Sequence, residues 1–148
     1  VSPLAVLASF AVALAVGWWR FRRTGSYPWV AVSAAMLCGF MLLHKVHSPQ
    51  YTLWLLPFFV LLAVPWRWVA AYLVADAVMG VGIFRWLHSL DYGPPAGIYD
   101  GVAAQAVAVG VWGRAALLVV LFVTFLRLPD PWAAGRTADA APEAVGRP

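Results

Sequence analysis

The chain has 148 residues, a length typical of one soluble domain, but 64% of them are hydrophobic and only 11% are charged. A domain of this size leaves much of its surface in contact with water, so this composition excludes a soluble monomer and favours a bilayer as the solvent. The net charge of +4 does not indicate nucleic-acid binding, because the basic residues form short clusters between apolar runs and no basic stripe.

Apolar runs predict about five transmembrane helices. They lie at about residues 1–19, 27–43, 49–65, 68–87 and 102–126. Each run is close to the roughly 20 residues that a helix needs to cross a bilayer. The predicted fold is therefore all-α, a polytopic integral membrane helix bundle over residues 1–127. Residues 128–148 have no periodic apolar face and predict a disordered tail.

The arginines between these helices are distributed unequally. One side of the predicted bundle receives Arg20, Arg22, Arg23, Arg67, Arg127, Arg136 and Arg147. The positive-inside rule places this side and the C-terminus in the cytoplasm, and the loop 44–48 outside. The chain has one lysine and no asparagine, which is typical of GC-rich bacterial genomes. The predicted location is a bacterial plasma membrane.

Two charges lie near mid-depth in predicted helices. Counting from the inner helix ends places Asp76 about 12 Å and Arg114 about 18 Å into the membrane. An unpaired charge there costs at least about 2.5 kcal/mol. Three interpretations remain open: an ion pair, a water-lined cavity leading to a functional site, or a fifth helix that lies partly on the surface.

Aromatic residues mark the helix ends, and the single cysteine lies in an apolar run. Tryptophans at predicted ends are Trp18, Trp19, Trp29, Trp66, Trp68 and Trp86, as an interfacial belt requires. His88 and Tyr92 at the outer end of the fourth helix are either ordinary interfacial residues or part of a site. Cys38 is expected to be a small buried hydrophobic residue.

Polar side chains concentrate between the second and third helices. The segment is His44-Lys45-Val46-His47-Ser48-Pro49-Gln50-Tyr51. Ser48 is suited to cap the third helix and Pro49 to begin it, which directs free backbone N–H groups into the loop. With Lys45 beside them, these groups predict an anion site.

The neighbours of this site suit a sugar phosphate. His44 is expected to assist at the phosphate, Gln50 and Tyr51 to bind sugar hydroxyls, and His47 and Trp54 to line the site. The alternative is a short interfacial hairpin whose lysine reaches lipid phosphates, which needs similar residue types. Further along the helix, Pro57 is expected to kink it.

The order of the residues favours the first interpretation. Lys45-Val46-His47-Ser48-Pro49-Gln50-Tyr51-Thr52-Leu53-Trp54-Leu55-Leu56-Pro57 resembles the Lys-Val-x-Ser-Pro-Gln-Tyr-x-x-Trp-x-x-Pro signature of polytopic glycosyltransferases of the GT-C type, in particular bacterial glycosyltransferase family 87. It is also similar to a stretch of the mannosyltransferases that build GPI anchors. The resemblance covers about 13 residues.

This resemblance implies a function. The donor would be a polyprenyl-phosphate sugar, usually polyprenyl-phosphomannose, and no cofactor is implied with certainty. The sugar would pass, with inversion, to a lipid-linked or glycan acceptor outside the membrane. Lys45 would bind the phosphate, assisted by His44 and Ser48, while Gln50 and Tyr51 would bind the sugar or hold the loop.

The departure from the family concerns the catalytic base, expected to be an Asp in the first outer loop of the enzyme. The outer carboxylates here, Asp91 and Asp100, match no position of the motif. We therefore expect the C-terminal part of a longer enzyme, with no catalytic residue of its own, inactive without the missing N-terminal half. No carboxylate spacing predicts a metal site. A non-catalytic scaffold that binds anionic or polyprenyl lipid, or a small transporter subunit, remains the alternative.

Overall fold

The computed structural model describes residues 3–44, 49–92 and 101–129. Its elements are α1 (Pro3–Thr24), α2 (Trp29–Leu43), a 3-10 turn (Pro49–Tyr51), α3 (Thr52–Leu61), α4 (Trp66–Tyr92) and α5 (Val102–Arg127). The described ranges contain no strand, and the predicted all-α bundle is confirmed. Helices α1, α4 and α5 are long and apolar enough to cross a membrane, whereas α2 has 15 residues and α3 has 10.

The third predicted span differs most from the prediction. The expected helix over 49–65 is a 3-10 turn followed by α3, which ends at Leu61. At about 1.5 Å per residue, α3 is about 15 Å long, half of the roughly 30 Å hydrocarbon core. Leu62 leaves the helix with an extended backbone (φ −115°, ψ 138°). Pro57, expected to kink the helix, lies inside α3 without ending it.

The other boundaries lie within a few residues of the prediction, except two helix ends: α1 continues past its predicted end at residue 19 to Thr24, and α4 also continues further than predicted. Helix α4 continues to Tyr92, beyond its predicted end at residue 87. This places the backbone of Asp91 in the helix rather than in the loop. The predicted tail lies almost entirely outside the described residues.

Small residues set the packing of α1 against α2. Gly25 ends α1 in the left-handed region (φ 70°), and its N–H donates to the carbonyl of Phe21 at 2.8 Å. The chain then returns antiparallel, with Gly17 against Val32 and Gly39 against Ser9. The glycines leave room for the Val32 and Ser9 side chains at the helix contact, and small residues of this kind are common between membrane helices.

Helix α2 is the centre of the bundle. It contacts α1, α3 and α5, and most of its side chains are buried. Cys38 is fully buried among them, as predicted. Because α2 is apolar and enclosed by other helices, hydrophobic side chains are favourable on all of its faces.

The arginine-bearing ends of α1 and α5 lie at the same end of the bundle. A side-chain nitrogen of Arg20 (NH1) donates to the carbonyl of Leu126 at 2.8 Å. This proximity is what the predicted orientation requires. Which side of a membrane this end occupies remains a prediction.

Tryptophans are placed as an interfacial belt requires. Trp18, Trp19, Trp29 and Trp66 lie at or near helix ends and are each more than half exposed. Trp68 and Trp86 are partly buried. An indole at this level presents an apolar ring to lipid and a polar N–H to the headgroups, so these positions suit anchoring.

Helices α4 and α5 form a closely packed antiparallel pair. A Cβ placed on Gly110 would lie 2.7 Å from the Cα of Met79, and one on Gly82 would lie 3.0 Å from the backbone nitrogen of Val107. Only glycine permits these distances, because the neighbouring atoms are backbone. The close approach fixes the register of the helix pair. Arg114 lies one turn from Gly110 on α5 and Asp76 one turn from Met79 on α4, so this register places the two charged residues side by side.

We expect Gly110→Ala to destabilise the α4–α5 pair. The added methyl meets the backbone of Met79 at 2.7 Å, so the helices must separate. The readout is the temperature at which the buried Cys38 thiol begins to react with a fluorogenic maleimide in detergent, which should fall.

The matched control is Gly113→Ala, one turn away on the same helix. Its Cβ would lie 3.8 Å from the Cβ of Ala75, an ordinary contact. Alanine also favours a helix over glycine by about 0.8–1.0 kcal/mol, so this variant should be unchanged or more stable. Equal behaviour of the two variants would contradict the close-approach interpretation.

Candidate functional site

The polar segment between α2 and α3 is flanked by a row of aromatic rings. The His44 ring lies 4.8 Å from the Phe40 ring and 6.4 Å from the Tyr51 ring, centroid to centroid. Tyr51 in turn stacks on Trp54 at 4.8 Å with an interplanar angle of 28°. The structure therefore brings together three of the predicted site residues, His44, Tyr51 and Trp54, across the α2–α3 connection.

The other predicted site residues divide into two groups. Gln50 lies in the 3-10 turn beside Tyr51 and is exposed. Lys45, His47 and Ser48 lie outside the described residues, so their predicted roles remain predictions.

The start of α3 differs in detail from the expected capped helix. The helical path begins at Pro49, as expected, but its first turn is a 3-10 turn, and the α-helix begins at Thr52. Tyr51 occupies the cap position with helical dihedral angles and makes no side-chain cap hydrogen bond. The exposed amide of Gln50 and the phenol of Tyr51 thus belong to the turn that leads into α3.

A buried polar network lies directly behind this turn. Nη1 of Arg114 lies 3.0 Å from Oδ1 of Asp76, and Nε of Arg114 donates to the hydroxyl of Tyr72 at 3.0 Å. The hydroxyl of Thr52 donates to the same Tyr72 oxygen at 3.4 Å. Four side chains on three helices, α3, α4 and α5, therefore form one chain of polar contacts.

The two charges form a buried ion pair, with 3.0 Å between Nη1 of Arg114 and Oδ1 of Asp76. Among the three interpretations of these charges, the ion pair is confirmed.

Sequence reasoning placed this pair apart from the polar segment and missed the connection between them. Thr52 follows Tyr51 directly, so the network begins one residue after the motif's Gln-Tyr pair. Tyr72 precedes Asp76 by four residues, a spacing that puts both on one face of α4. This spacing was the available signal for Tyr72.

The network lies nearer the N-terminal end of α4. Tyr72 is six residues from Trp66, about 9 Å along the helix, and α4 then continues for about 30 Å. His88 and Tyr92 are about 24 Å and 30 Å beyond Tyr72. Their rings contact each other at 4.8 Å and both side chains are exposed. That they contribute to the same pocket as the His44–Tyr51 row remains a prediction.

Carboxylates and metal ligands are scarce around the turn. Among residues whose side chains the structure describes, Asp76 is the only carboxylate, and it is paired with Arg114. In the same part of the chain, no group of three or more His, Cys, Asp or Glu side chains is placed to hold a metal ion. The described side chains thus offer aromatic faces, an amide and hydroxyls.

Comparison with protein-family models, with curated proteins and with solved structures finds no match to this chain.

We expect Arg114→Gln and Asp76→Asn each to destabilise the bundle, because either leaves one buried charge without its partner. The expected loss is about 3 kcal/mol for each. The double variant removes both charges and should lose less than the sum of the two. The measurement is a double-mutant cycle on the free energy of unfolding, followed through Cys38 reactivity.

Arg85→Gln provides the control for loss of an arginine. Arg85 is exposed on α4, and no described carboxylate lies within 4.0 Å of it. Its replacement should change stability by less than about 0.5 kcal/mol. Strictly additive losses in the cycle would show that the pair contributes no coupling.

Proposed function

We propose that this chain forms the donor-binding part of a membrane glycosyltransferase that takes a sugar, with mannose as the expected one, from a polyprenyl phosphate. The observation that supports it is the row of His44, Tyr51 and Trp54 rings at the connection that carries Lys45. Aromatic faces pack against the apolar C–H faces of a sugar ring, while its hydroxyls need polar partners such as the Gln50 amide. The proposal combines both with the cation of Lys45, which follows His44 in the sequence.

In this proposal each side chain has one task. Lys45, assisted by His44 and Ser48, neutralises the charge that develops on the lipid phosphate as the glycosidic bond breaks. Gln50 and Tyr51 bind sugar hydroxyls, and Trp54 supports Tyr51 from behind by stacking. His47 lines the same space.

In this proposal, the proton acceptor of the reaction is not one of the side chains named above. An acceptor hydroxyl must lose its proton as it attacks the anomeric carbon, and a carboxylate is the expected base. Asp76 is buried in an ion pair with Arg114, so its carboxylate is already engaged within the bundle. We therefore assign the base to a carboxylate that the structure does not describe, in line with an enzyme whose active site is shared with further membrane helices.

The proposed setting follows from the orientation argument. The loop 44–48 faces the outer side of a bacterial plasma membrane, and the acceptor is a lipid-linked sugar or a glycan there. Because Thr52 lies beside Tyr72, only about 9 Å along α4, the donor headgroup would be bound in a recess below the outer end of α4. A recessed site excludes water from the breaking bond, which limits hydrolysis of the donor.

The first test concerns the aromatic row. Trp54→Ala removes the ring that supports Tyr51 and should weaken binding of radiolabelled polyprenyl-phosphomannose to the purified chain about tenfold, the value of a stacking contact near 1.4 kcal/mol. The matched control is Trp29→Ala, because Trp29 is 61% exposed at the opposite end of α2, against 50% for Trp54. Equal affinities of the two variants would refute the proposed sugar site.

The second test concerns Lys45. In membranes that contain the complete enzyme, Lys45→Ala should reduce sugar transfer at least about a hundredfold, because the leaving phosphate loses its cation. Lys45→Arg, which keeps the charge, should retain more activity. Donor binding by the wild-type protein without any transfer would instead favour the alternative function of a lipid-binding scaffold.

A further inference from the structure

A second region with ligand-binding features lies on the outer half of the α4–α5 pair, away from the aromatic row. A groove of about 670 Å³ opens between the two helices. Small side chains make the space, mainly Ala77, Gly82, Ala103 and Ala106, with Val81 among them and Arg85 at one end. From Ala77 to Arg85 the groove follows α4 for about 12 Å.

The surroundings of the groove select an apolar occupant. Val81 and Phe84 on α4 and Val102 on α5 are 60%, 73% and 84% exposed. Both helices are apolar enough to cross a membrane, so these side chains face hydrocarbon. A groove left empty there would lose dispersion contacts along its whole wall, and a lipid chain restores them.

Arg85 selects the headgroup of that lipid. It is 19 residues from Trp66 at the start of α4, so its backbone lies about 28 Å along the helix, close to the roughly 30 Å thickness of the hydrocarbon core. The side chain is exposed and has no described carboxylate within 4.0 Å. It also lines a smaller cavity of about 390 Å³ with Phe84 and His88.

We propose that this groove binds an anionic phospholipid, with one acyl chain between α4 and α5 and the phosphate on Arg85. The guanidinium donates two parallel hydrogen bonds to phosphate oxygens, a geometry that lysine does not reproduce. An anionic headgroup is preferred over a zwitterionic one because choline would return a positive charge next to Arg85. This site is separate from the proposed sugar site, and neither depends on the other.

The experiment uses phosphatidylglycerol that carries a diazirine in its acyl chain. The 148-residue chain is reconstituted into phosphatidylcholine nanodiscs with this probe, irradiated and digested, and the labelled residues are identified by mass spectrometry. Adducts should concentrate at residues 77–82 and 102–106. Unlabelled phosphatidylglycerol should compete, whereas phosphatidylcholine and inorganic phosphate should not.

Variants separate the headgroup from the chain. Arg85→Gln should reduce the groove adducts about fivefold, the effect of about 1 kcal/mol for one basic residue near a charged membrane surface. Ala77→Phe should reduce them by filling the groove. Arg67→Gln removes an exposed arginine from the opposite end of α4 and should leave them unchanged. Cys38 must remain protected in each variant, which shows that the bundle is folded.

The outcomes that would overturn the proposal are distinct. Adducts spread evenly over α1, α4 and α5 would show ordinary boundary lipid. Adducts that survive Arg85→Gln, or that phosphatidylcholine removes equally well, would show a chain site without headgroup selection. Cross-linked dimers, abolished by Ala77→Phe, would show that a second copy of the chain fills the groove.

Discussion

A guanidinium held away from water sets the arrangement of α3, α4 and α5. Arg114 is buried with Asp76 and Tyr72 as neighbours, and a charge in that position is tolerated only while both remain. Asp76 and Tyr72 both lie on α4, so the requirement fixes the register of α4 against α5. Tyr72 extends this constraint to α3, because its hydroxyl also accepts a hydrogen bond from Thr52 at the start of that helix. The glycines of the α4–α5 contact permit this register, and the charges make it the favourable one.

The sequence predicted where the helices lie better than where they end. The limits of α5 are nearly those predicted, whereas α1 includes Arg20, Arg22 and Arg23 and ends at Thr24, beyond the predicted end at residue 19. Between Ser48 and Trp66 there is no charge, so this apolar run was predicted to be one full transmembrane helix. Hydropathy does not distinguish α3 from the extended, partly buried stretch that follows it, because Leu62 is apolar in either conformation and its burial comes from tertiary contacts.

The candidate site could likewise be predicted from the sequence only in part. His44, Tyr51 and Trp54 are close in sequence, so local geometry suffices to bring them together, and their identity predicted the grouping. Tyr72 was not identified, because a tyrosine in an apolar helix is usually an ordinary packing residue. Its role depends on where Arg114 lies across the helix pair, and that position is set by the packing of Gly110 on Met79. The level at which the Pro49–Tyr51 turn lies beside α4 likewise depends on tertiary packing.

The pairing of charges across α4 and α5 has a consequence for how the chain enters a bilayer. Each charge inserted alone costs about 2.5–3.5 kcal/mol at the centre of a helix. The two helices follow each other in sequence and meet antiparallel, so they can enter as a hairpin in which the charges neutralise each other. Joint entry is thus cheaper than stepwise entry, and the energetically preferred order of biogenesis keeps α4 in a protected environment until α5 has been synthesised.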